Sequence, residues 1–222
     1  MAWLQVRRWA SVHGGVLAAA VLLHGATAQA AEPLQLQFVT HASFFSKETK
    51  QPTPLDPQVF VRDPGAGAGV GPQAIEHVKG LRNLLLSDPP ETPVSSATGK
   101  ALGLTAGKWL GATGTVTITP DPQGGAEVVA TFQGLKPGGT YSLFENHFDT
   151  NPVTFTPLDG KGTANSFKAK RDGSASTKVS SPEMLTGANA VLLVYHSDGR
   201  THGTSRGQLG VTAHHQLIAK VP

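Results

Sequence analysis

From Gly114 to the C-terminus, short alternating segments recur about every eight to twelve residues, separated by turn signals, and this spacing constrains the fold more than any other feature. Thr115 to Thr119 alternates and is followed by the turn Pro120 to Gly125. Val128 to Phe132 leads into the turn Leu135-Lys136-Pro137-Gly138-Gly139. Further strands are expected at Thr140 to Phe148, Ala164 to Ala169, Ala175 to Val179, Ala190 to His196 and Leu209 to Ala219, with Arg171-Asp172-Gly173-Ser174 as a hairpin turn. Val191 to Val194 is continuously apolar and reads as a central strand. Seven or eight such strands imply an all-β fold, a Greek-key β-sandwich.

The chain upstream is organised differently. Residues 31–110 read as an irregular extension, with a possible strand at Leu34 to Val39 and prolines at 52, 54, 57, 64 and 72 marking loops. Within it, Ile75, Val78, Leu81 and Leu85 share one helical face, so the spacing predicts a helix over 74–86 that packs on the sandwich. Residues 1–30 read as a signal peptide: Arg7 and Arg8, the apolar run Val16 to Leu23, then Ala28-Gln29-Ala30 before the cleavage point. Eight apolar residues are far short of the roughly 20 that a bilayer requires, so no transmembrane span is expected in the mature chain. The expected location is periplasmic or extracellular, and the β-sandwich domain is expected over 111–222.

Charge and cysteine content exclude several functions. Loss of Arg7 and Arg8 with the leader lowers the formal charge from +3 to +1, which leaves no argument for nucleic acid. The chain has no cysteine, so thiolate chemistry and Cys-ligated zinc are excluded. No G-x-S-x-G elbow and no phosphate-binding glycine loop occurs. Histidine remains. His147, His196, His202, His214 and His215 lie in the β-domain, and imidazole with carboxylate suits copper or zinc. Glu145 and His147 are two apart on one strand and share a face, whereas the adjacent His214 and His215 must face opposite sides. His41 and His77 offer no spacing to use.

Three segments in order resemble the Cu/Zn superoxide dismutase sandwich. They are Gly134 to Asp149 (a Gly-Leu turn, then a strand ending Glu145-Asn146-His147), Ala190 to Asp198 with His196, and Ser205 to Val211 with Arg206. The likeness spans residues 114–219; the chordin-type CHRD domain is a similar exported β-domain with the same kind of turn. Carried over by position, the resemblance implies His147 and His196 as copper ligands and Arg206 as an anion contact. It also departs from the family. Glu145 stands at the first histidine, Leu209 at a disulfide cysteine, and no other histidine lies between His147 and His196, so the zinc loop has no counterpart. Zinc and rapid superoxide dismutation are therefore not expected.

Two readings follow. In the first, an exported protein binds a single copper ion through His147 and His196, with Glu145, His202 or His214 completing the shell. In the second, the domain is a metal-free binding module whose partner is a glycan, a peptide or an envelope protein.

Overall fold

The computed structural model of the chain describes Met1 and residues 32–222; the expected signal peptide lies outside the described residues. The elements of the first half are β1 (Leu34–Gln37), β2 (Val39–Thr40), α1 (His41–Glu48), β3 (Leu55–Arg62), β4 (Gly69–Val70), β5 (Glu76–His77), β6 (Leu81–Leu85), β7 (Pro93–Ser95), β8 (Ala101–Thr105) and α2 (Ala106–Leu110). Those of the second half are β9 (Thr113–Pro120), β10 (Ala126–Gln133), β11 (Thr140–His147), β12 (Thr154–Pro157), β13 (Ser166–Lys168), β14 (Ala175–Ser181), β15 (Asn189–His196) and β16 (Ala213–Lys220).

Two antiparallel sheets form the sandwich, ordered β1-β9-β10-β14 and β12-β11-β15-β16-β2, with β13 beside β11. After β10 the chain crosses to β11 in the second sheet, returns at β14 beside β10, and crosses again to β15 beside β11, which is Greek-key order. The alternation decides the inner faces. Val116, Ile118, Val128, Ala130 and Phe132 pack against Tyr141, Leu143, Val191, Leu193, Tyr195 and Leu217 in one core. As its apolar run implies, β15 is central and buried along its whole length. On β16 the register against β15 shifts between Leu193 and Val194, so Gln216 is an extra residue and Leu217 returns to the core opposite Leu193.

The turn before β11 also belongs to the core, through Leu135. The Tyr141 hydroxyl accepts the Lys136 N–H at 2.9 Å and so ties the Leu135 to Gly139 turn to the sheet. Tyr141→Phe should cost about 1 kcal/mol in urea denaturation, the net worth of one such bond; an unchanged midpoint would count against this tie.

Three expectations need correction. The segment 31–110 is not an irregular extension: β1 pairs with β9, and β6-β3-β7-β8 form a further sheet whose Val59, Val61, Leu84, Val94 and Leu102 join the sandwich core. The helix expected over 74–86 is instead β5 and β6, because β6 has a pairing partner in β3. Gly80 at φ +83° breaks the helical run, and Asp88 takes the Arg82 guanidinium in a fork of 2.8 and 2.7 Å. The only α-helices among the described residues are α1 and α2. Finally, Gly173 does adopt φ +77°, but its turn joins β13 to β14 in different sheets and is no hairpin.

The elements that matter for function lie on the outer face of the second sheet. There Phe144, Ala190, Leu192, Val194, Ala213 and Ile218 form a second apolar layer, covered by Phe44 of α1 and by Phe148, Phe155 and Leu209. Thr40 starts α1 by accepting the Ser43 N–H at 3.3 Å, so the helix turns back over β16 directly after β2.

Candidate functional site

The strand register separates the two expected copper ligands. Glu145 and His147 lie on the side of β11 that carries Tyr141 and Leu143, toward the sandwich interior. His196 shares the side of Leu192 and Val194, the outer face. His196 pairs with Thr140 and His147 with Asn189, so the two sit at opposite ends of the strand pair, roughly 23 Å apart at 3.3 Å per residue. One ion cannot bridge them.

Each of these residues has its own local role. His147 Nε2 bonds Thr156 Oγ1 at 2.8 Å, and Glu145 lies 3.7 Å from its Nδ1. Burial raises the Glu145 carboxyl above its ordinary range, offset in part by His147. His196 Nε2 meets Ser142 Oγ at 2.8 Å, and its ring lies 5.3 Å from that of His202, which pairs with Asp198 at 3.2 Å. His214 lies beneath Trp109 and Tyr195, with Nδ1 donating to the Gln58 carbonyl at 3.0 Å. Among the described residues no three His, Asp or Glu side chains are grouped to hold a metal.

What the fold does assemble is a cluster around His215 that involves residues from six segments. His215 and His214 do face opposite sides. His215 Nδ1 lies 3.4 Å from Nε2 of His41 on α1, their rings edge to face at 4.7 Å. Arg206 Nη1 lies 3.0 Å from His215 Nε2, and the guanidinium carbon sits 3.3 Å from the centre of the Phe155 ring. Gln58 Oε1 accepts the His215 backbone N–H at 2.7 Å. That orients its Nε2 to donate to Gln73 Oε1 at 2.8 Å and places it 3.0 Å from His215 Nδ1.

The proton positions follow from this inventory. Both nitrogens of His215 face donors, yet a neutral imidazole has one lone pair. The charge-assisted bond from Arg206 is the stronger claim on it, so Nε2 accepts and Nδ1 carries the proton. On this assignment the Nδ1 proton stands against the Gln58 NH₂ at 3.0 Å and has one acceptor in reach, His41 Nε2 at 3.4 Å, so His41 holds its own proton on Nδ1. His41 Nδ1 has no hydrogen-bond partner among the described residues. Neither ring can become charged at ordinary pH. Burial and then Arg206 pull His41 down to about 3, and burial with the neighbouring His41 and Arg206 holds His215 well below its usual value.

His41 also lines a cleft of about 300 Å³ between α1, β11 and β12. Its walls are Phe44, Phe45, Phe148 and Phe155, and Asn146 lines it as well. Asn146 is 4% exposed, and its Oδ1 has no partner among the described residues. A slightly larger recess of about 350 Å³ beside α2 is lined largely by backbone and surface side chains such as Gly107, Lys108 and Pro137, with no unpartnered buried group. The aromatic cleft is therefore the candidate site.

No protein family, curated protein or solved structure matches the chain. Of the site residues, the sequence singled out only Arg206. His41 left one faint signal, its position after the helix-capping Thr40 and before the aromatic pair Phe44-Phe45.

Proposed function

We propose that this chain is an exported, metal-free binding module that holds a small apolar ligand in the cleft between α1, β11 and β12. The observation that carries the reading is the pairing of aromatic walls with two buried side chains, His41 and Asn146, that each leave a polar atom unpartnered. An orphaned buried polar atom costs about 1–3 kcal/mol, and a bound ligand that satisfies it recovers that cost. Mostly apolar walls with a few convergent polar groups are the usual make-up of small-ligand sites. A volume near 300 Å³ accommodates roughly ten non-hydrogen atoms at about 30 Å³ each, too few for a protein segment of any length.

The Greek-key order is compatible with the superoxide dismutase-like or CHRD-like resemblance, and export rests on the leader sequence. Of the two functional readings, the metal-free one is preferred because His147 and His196 diverge in register.

The test is titration of 3-phenylpropan-1-ol into the protein, followed by ligand-observed NMR. Saturable binding is expected, and Val153→Trp should abolish it, because Val153 lines the cleft yet is 37% exposed and can be enlarged without disturbing the core. Parallel titration with copper is expected to give no site that His147→Ala and His196→Ala both weaken. Tight one-to-one copper binding lost in both variants would replace this proposal with the metal reading.

A further inference from the structure

We infer that the ligand of the cleft is a hydrophobic carboxylate, an aromatic or aliphatic body ending in an anionic acid group. This rests on the cleft reading above and adds the chemistry of the head group.

Arg206 is the charged end of the cluster. The guanidinium is wedged against Phe155, spends one donor on His215, and meets no carboxylate within ion-pair distance among the described residues. Its charge is relayed rather than neutralised. With the protons so assigned, Arg206 polarises His215 through Nε2, His215 donates from Nδ1 toward His41 Nε2, and His41 is left with an N–H at Nδ1 that has no acceptor among the described residues. Three groups in a row therefore push donor character toward a cleft-lining side chain. The complement of such a chain is an acceptor, and with an uncompensated cation behind it, an anionic acceptor.

Asn146 fits the same head group. Its amide is buried with Oδ1 unpartnered, and a half-turn about its last side-chain bond presents the NH₂ end to a second carboxylate oxygen. The remaining charged group at the cleft is Glu48, which is exposed on α1 at the outer end. It disfavours an anion at the mouth and so sets direction: carboxylate inward, apolar body between Phe44, Phe148 and Phe155. A cationic head group has no acceptor carboxylate at depth and faces Arg206.

The experiment compares 3-phenylpropionate, 3-phenylpropan-1-ol and 3-phenylpropylammonium by calorimetry on the unsubstituted protein at pH 7.5, then on Arg206→Gln and Val153→Trp. The carboxylate is expected to bind roughly tenfold or more tighter than the alcohol, the usual gain from charge-assisted bonds. Arg206→Gln should remove most of that advantage and leave the alcohol's affinity in place. Should Arg206→Gln fail to fold, the carboxylate-to-alcohol ratio on the unsubstituted protein decides alone. Equal affinities, or a preference for the ammonium, would overturn the carboxylate assignment while leaving the cleft as a binding site. An advantage that survives Arg206→Gln would overturn the relay through His215 and His41. If neither carboxylate nor alcohol binds, or Val153→Trp changes neither, the cleft itself is refuted as the site and this inference goes with it.

Discussion

On acidification from pH 7 to 5 the protein should lose about 5 kcal/mol of stability or more and unfold cooperatively. Four buried histidines are responsible. Burial lowers His41 to about 3 and His196 and His214 to about 4, and takes His215 well below its ordinary value. In the unfolded chain each takes up a proton as pH falls through about 6.5, whereas the folded form does not. Stability from these groups is thus fully present above pH 6.5 and is lost below it, at about 1.4 kcal/mol per pH unit for each histidine. At pH 5 His41, His196 and His214 amount to about 6 kcal/mol, and His215 acts in the same direction.

Asp56 works in the opposite direction. Burial raises it to about 6, against hydrogen bonds from Trp109, Gln58 and Val59. The folded state therefore gains a proton before the unfolded one and recovers about 1 kcal/mol over the same range. The net loss is comparable with the whole stability of an ordinary domain, about 5–15 kcal/mol. Acid titration followed by far-UV circular dichroism and tryptophan fluorescence should show one transition complete above pH 4. Native spectra retained at pH 4 would mean that these imidazoles are not held neutral by the fold.

The second large effect concerns Trp109. The ring is 1% exposed, and it reaches His214 and Tyr195. Its Nε1–H donates to Asp56 Oδ2 at 2.8 Å, and its carbonyl accepts from Gln216 Nε2 at 3.0 Å. Trp109→Ala opens a cavity, costing about 3–5 kcal/mol, and removes a donor from a buried carboxyl group, costing about 1–3 kcal/mol more. The melting temperature should fall by about 10–25 °C, at roughly 2–4 °C per kcal/mol for a domain of this size. Trp109→Phe keeps most of the volume and isolates the second term; its loss should be about a third of the total, and it should raise Asp56 further. A fall of less than about 3 °C for Trp109→Ala would show that Asp56 and the surrounding rings do not depend on the indole.

Both effects come from residues whose partners lie far away in the chain, and this separates what could be read from what could not. Period-2 alternation is a local property of consecutive side chains. With turn spacing, and for β15 a continuous apolar run, it was enough to find β9, β10, β11, β14, β15 and β16, and to place His214 and His215 on opposite faces. Helix-like spacing over 74–86 misled, since a short apolar pattern carries no information about the availability of β3 as a pairing partner. The pairing of His147 with His196 failed at the next level. Alternation shows that Glu145 and His147 share a face, but only pairing between β11 and β15 shows that His196 is on the other face and at the other end.

The candidate site lay further still from the sequence. His41 and His215 are 174 positions apart, and nothing local marks either as the other's neighbour. The sequence by itself determined the strand periodicity, the all-β class and the lack of cysteine chemistry. Tertiary structure decided the rest. Only when α1, β3, β16 and the Arg206 loop pack together do Arg206, His215 and His41 come into line, and only then is His41 Nδ1 buried without a partner among the described residues. Unpartnered polar atoms result from the sum of all neighbours, which a linear pattern of residues does not contain.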